Sequence, residues 1–68
     1  MSSQGHELRI GQLRRQIRLG TEALYRVCDL GEELVEVEVV RAPGLQSGRR
    51  FNLTRDAVEN MDPVLDHV

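Results

Sequence analysis

Nine arginines and no lysine supply the cationic side chains of this 68-residue chain, and six of them form two groups able to do chemistry. Arg14, Arg15 and Arg18 form the first group; Arg49, Arg50 and Arg55 form the second, beside the glycine-bounded segment 44–48. A guanidinium fork holds phosphate or carboxylate through two N–H bonds, and a loop with free backbone N–H groups can cradle the same anions. The two groups are therefore candidate binding residues, with Leu45 as the one apolar member of the loop. The plainer account is a solvated surface with local ion pairs, the absence of lysine reflecting GC-rich coding. Either way, Schiff-base chemistry on lysine is absent.

Other candidate chemistry is thin. Glu36 and Glu38 share one side of an extended segment, about 7 Å apart from the rise per residue. Glycosidase carboxylates stand at such distances, but those pairs lie in a cleft, and this pair reads as the wet side of a sheet. Cys28 is the single cysteine, so a disulfide within one chain is excluded. With only His6 and His67 to join it, both near the chain ends, no metal site is expected. Ser2, Ser3 and Ser47 have no histidine close in sequence, and no HExxH pair, CxxC or Gly-rich phosphate loop is present. The expectation is a non-enzymatic chain without cofactor or small-molecule substrate.

The net charge of −2 does not argue for nucleic acid, but its distribution is uneven: +2 over residues 1–30, −3 over 31–48 and −1 over 49–68. Tyr25 and Phe51 are the only aromatic residues, too few for base stacking, so any nucleic-acid contact would rest on the phosphate backbone.

The elements that must position these residues are mostly strands. In residues 34–41 Val35, Val37 and Val39 alternate with Glu36 and Glu38, which makes one face apolar and the other acidic. Residues 23–28 alternate too, with Leu24, Arg26 and Cys28 on one face and Ala23, Tyr25 and Val27 on the other. Asp29-Leu30-Gly31-Glu32 has turn chemistry, so residues 23–40 form a hairpin. Pro43-Gly44 suits the centre of a type II turn, and residues 44–48 read as a flexible loop. A strand over 49–53 places Arg50 across from the glutamates if it pairs with 34–41. Thr54 caps a short helix over 55–61 with Ala57, Val58 and Met61 on one stripe, stopped by Asp62-Pro63. Residues 8–16 stay open: Ile10, Leu13 and Ile17 fit a helical stripe, whereas Leu8 and Ile10, then Ile17 and Leu19, also flank arginines as strand residues do. Extended structure is favoured from Ile17 onward.

Size allows one domain. Residues 1–7 read as a disordered tail, 8–63 as a single small β-rich domain and 64–68 as a C-terminal tail. A core this small supplies about 3–5 kcal/mol, so self-association is a natural aid. No apolar run is long enough to span a bilayer and no signal peptide is evident, which with one thiol suggests the cytoplasm.

The run Ile17-Arg-Leu-Gly-Thr-Glu-Ala-Leu-Tyr-Arg-Val resembles the opening strand of small SH3-like barrels, including KOW-type modules of the translation and transcription machinery. It is also similar to the C-terminal domain of Gre-type transcription factors. The likeness spans residues 17–61 and rests on strand rhythm and glycine placement. It implies a small barrel that hosts many kinds of binding.

The fold class expected is thus mostly β: a small antiparallel meander or SH3-like barrel of three to five strands with one short C-terminal helix. Its core draws on Leu24, Val27, Val35, Val37, Val39, Phe51, Leu53, Val58 and Met61. The expected function is a small binding module for another protein or for itself, through a strand edge and the 42–48 loop. The alternative is a nucleic-acid module that grips phosphates with its arginines. A membrane partner is not expected.

Overall fold

The computed structural model describes residues 8–64, in which five strands and a helix run β1 (Leu13–Arg18), β2 (Thr21–Leu30), β3 (Leu34–Arg41), β4 (Arg50–Thr54), α1 (Arg55–Glu59) and β5 (Asp62–Pro63). They make one antiparallel sheet in the order β4-β3-β2-β1-β5. The first four strands form a meander, and the fifth returns to the outer edge of β1. The tails at 1–7 and 65–68 lie outside the described residues; Val64 is within them and donates its N–H to Leu13 O at 3.0 Å.

The centre is β3. Val35, Val37 and Val39 are buried while Glu36 and Glu38 remain half-buried on the other face, as alternation requires. Val37 stands between Val27 on β2 and Phe51 on β4. Tyr25 and Phe51, one strand to either side of β3, meet edge to face with ring centroids 5.9 Å apart. Sheet curvature brings them together, and such a pair adds about 0.5–1.5 kcal/mol beyond area burial. Leu8, Val58 and Met61 close the core, with Phe51 and Leu53 half-buried against it. Leu24 does not join it. Tyr25 and Val27 face inward, so Leu24 falls on the outer side, opposite Arg15 and Arg41. Cys28 is half-buried at a register shift between β2 and β3, with its Sγ 3.7 Å from Arg26 O and 4.0 Å from Glu38 Oε1.

The turns follow local chemistry. Leu45 N–H donates to Ala42 O at 3.2 Å around Pro43-Gly44, with Gly44 at φ 79°, the geometry of a type II turn. Thr54 caps α1 by accepting from Ala57 N–H at 3.2 Å. The helix is shorter than the expected 55–61, ending at Glu59 with Asn60 as its C-cap, and Asp62-Pro63 does not stop it but pairs with β1, a strand too short to announce itself by alternation. Pro63 is tolerated there because it lies opposite Arg14, whose backbone groups face β2 rather than β5.

Residues 13–18 are strand, not helix, and the β1–β2 connection is the two-residue turn Leu19-Gly20. Both residues have positive φ, 50° and 80°, as a type I′ turn demands. Leucine is a poor residue for that position: a left-handed conformation costs an L-residue roughly 1–2 kcal/mol. Its side chain is also fully exposed. Leu19→Asn therefore raises the stability of the isolated chain by about 1 kcal/mol, measured as a higher urea midpoint at unchanged m-value. A lower midpoint would remove the strain assigned to this turn.

Candidate binding surface

The hydrogen-bond alternation of β1 decides which backbone groups are left over. Gln12 O accepts from Val27 N–H at 2.9 Å, so even-numbered residues turn their backbone groups toward β2. Leu13 O accepts from Val64 N–H, so odd-numbered residues turn theirs toward β5. β5 reaches only as far as Asp62, opposite Arg15. The N–H and C=O of Ile17 thus point past the end of β5, with no strand of the described residues opposite them.

A groove of about 270 Å³ occupies that place, lined by Arg15, Gln16, Ile17 and Arg18 on β1 and by Ala57, Asn60, Met61 and Asp62. On the other face of the same strand end, Gln16 and Arg18 also border a cleft of about 210 Å³ floored by Ala23, Tyr25, Ala42, Pro43 and Leu45. Arg18 carries no ion pair within the described residues. Arg15 pairs with Glu22 at 3.6 Å, and Glu22 also takes Arg41 at 3.2 Å; the Arg15 Nε–H is covered and has no acceptor among the described residues. Ile17, 59% exposed, and the wholly exposed Leu19 complete this end of the molecule.

The other arginines have different fates. Arg14 is wholly buried, donating Nη1–H to Met61 O at 2.7 Å and Nε–H to Gln12 Oε1 at 3.0 Å. The expectation that it faces a ligand is corrected: alternation along β1 turns Arg14 inward while Arg15 turns outward. Burial pushes the Arg14 guanidinium below its ordinary pKa, with Glu59 and Asp62 acting in the opposite direction. Arg55 donates to Gly31 O at 2.8 Å and pairs with Glu59 at 3.4 Å, which ties the start of α1 to the β2–β3 loop. Arg49 and Arg50 are exposed and carry no ion pair among the described residues, although Arg50 stands in register with Glu38 as expected.

The 44–48 loop is pinned rather than open. Leu45, Gly48 and Arg49 donate their N–H groups to Ala42, Val39 and Gln46, and the Ser47 hydroxyl donates to Val40 O. The free N–H array that a phosphate cradle needs is therefore reduced. Flanking β4, Arg49 O accepts from Val39 N–H and Arg55 N–H donates to Glu33 O, so within the strand Arg50 and Asn52 turn their backbone groups to the open edge of the sheet.

Among the described residues no cluster of three His, Cys, Asp or Glu is placed to hold a metal ion, and no helix is long and apolar enough to cross a membrane. Comparison with protein-family models, with curated proteins and with solved structures finds no match to this chain.

Proposed function

We propose that this chain is a small, non-enzymatic module that binds another protein through the end of the sheet formed by the β1–β2 turn and its flanking clefts. The observation that carries the reading is Leu19. A large apolar side chain stands entirely in solvent on a left-handed backbone, and neither feature stabilises the chain that bears it. A contact outside the chain gives both a reason. Ile17, Leu45 and the two clefts around Arg18 belong to the same end. The strand order, with a two-residue fifth strand returning to β1, supports an SH3-like arrangement. The single thiol of Cys28 supports a reducing, cytoplasmic setting.

Leu19→Asn tests this, because the substitution relieves strain and removes the contact at once. Capture of a partner from native lysate falls to background in that variant while its urea midpoint rises. Capture unchanged by Leu19→Asn would overturn the reading. A photo-crosslinking side chain at position 19 yields adducts that survive nuclease; an adduct of twice the chain's own mass identifies self-association.

Arg49 and Arg50, exposed and without ion pairs among the described residues, support the second reading, a phosphate-contacting nucleic-acid module. Its mark is nuclease-sensitive capture, with an affinity that falls steeply as salt is added.

A further inference from the structure

We propose that the groove beside the free end of β1 takes an extended, acidic segment of a partner protein, laid alongside Ile17 where β5 stops. The inference rests on the protein-binding reading and names the occupant of one of its clefts. Ile17 offers one N–H and one C=O on the open side of β1, and an extended peptide supplies an acceptor and a donor from a single residue. Phosphate supplies acceptors only and would leave the carbonyl unmatched. Arg15 and Arg18 stand on the groove's β1 wall against Asp62 on the opposite one, a net positive lining. Among the described residues the covered Arg15 Nε–H has no acceptor, while the side chain as a whole is 41% exposed, so its guanidinium is open to an incoming carboxylate. Ala57, Met61 and the exposed Ile17 give an apolar side chain of the same segment a place to rest.

The volume agrees with a chain that passes through rather than a molecule enclosed. At about 270 Å³ the groove is near the lower end of small-ligand pockets. It suits one or two side chains of a peptide that continues into solvent.

A second copy of this chain fits poorly. Pairing β1 with its symmetry mate sets Arg15 and Arg18 near the same residues, and like charges facing across strands destabilise the pair. The open edge of β4 brings Arg49 and Arg50 instead. A partner edge bearing aspartate or glutamate supplies the complement that neither of these edges does.

Selection of a phage-displayed random dodecapeptide library on the full chain tests the proposal. The enriched peptides carry carboxylates within an alternating apolar pattern. A synthetic copy of the best of them shifts the amide resonances of Ile17, Arg18 and Asn60. It binds Arg18→Glu at least roughly tenfold more weakly and Arg50→Glu about as well as the parent. Both substitutions lie on exposed positions, and a thermal melt confirms that each variant folds. Peptides without carboxylates, equal affinity for Arg18→Glu, or shifts centred on β4 would overturn the groove assignment while leaving the module reading intact. No enrichment, with protein adducts still formed at position 19, has the same meaning. No enrichment and no protein adduct would remove both.

Discussion

Val37→Asp abolishes the cooperative unfolding transition of this domain. Val37 has no solvent exposure and sits at the middle of the central strand, flanked in register by Val27 and Phe51. Burying its side chain contributes about 1.5–3 kcal/mol, all of it lost on substitution. A carboxylate in its place stands opposite Val27 and Phe51, neither of which can pair with it, and brings a desolvation cost of several kcal/mol. A chain of this length has a total stability of only about 3–10 kcal/mol. The sum exceeds the reserve. Far-UV circular dichroism during heating therefore shows no sigmoidal transition, and amide exchange loses its protected core. Glu36→Gln, one residue away on the opposite face, moves the urea midpoint by no more than about 0.5 kcal/mol equivalent. A normal melt for Val37→Asp would mean that the inner and outer faces of β3 are assigned the wrong way round.

That assignment was available in the sequence because nothing competes with it: alternate valines and glutamates over residues 34–41 fit only an extended strand with one wet face. Thr54 and the Pro43-Gly44 pair were equally readable, each a local signal acting within a few residues. The less legible parts have specific causes. β1 hides because its inward position 14 holds an arginine, so the apolar residues Leu13 and Ile17 mark the outer face and mimic a helical stripe with Ile10. β5 is two residues long and has no period to detect. Leu24 looked like core because the two faces of β2 carry similar apolar content. The larger Tyr25 takes the interior, and the register shifts near Leu24 and Cys28 lie beyond any count of alternation.

The proposed surface was legible in part for similar reasons. Arg15, Arg18 and Leu45 border clefts, but their grouping with Arg14 and Arg55 dissolves once strand alternation and a loop carbonyl claim those two side chains. Ile17 and Leu19, which the proposed surface adds, are not among the residues the sequence singles out. The available signal was Leu19 directly before Gly20 in a two-residue hairpin, where Asn-Gly is the favoured pair. A leucine in that place costs stability, and that cost can be read without coordinates.

Arg14 is the residue whose removal most directly tests how the end of the chain is held. Its guanidinium joins β1 to the segment between α1 and β5 through Met61 O, and it fixes Gln12 through Nε. Arg14→Ala leaves the Met61 carbonyl without this donor and empties a fully buried volume, at a cost of about 3–5 kcal/mol. Arg14→Met keeps most of the volume but still forfeits the donor, so about 1–3 kcal/mol is lost. The order of urea midpoints is thus parent, then Met, then Ala. In the Met variant the Val64 amide, bonded to Leu13 O, exchanges faster while the β2–β3 hairpin stays protected. The pH dependence has a definite sign. Burial lowers the folded-state pKa of Arg14, so the unfolded chain binds the proton more tightly and this group's contribution rises with pH only in the alkaline window just below arginine's ordinary value. Between about pH 6 and 9 the guanidinium is charged in both states, and the gap between parent and Arg14→Met stays constant. Midpoints for both variants within about 0.5 kcal/mol of the parent would show that the Arg14–Met61 contact does not hold β5 in place.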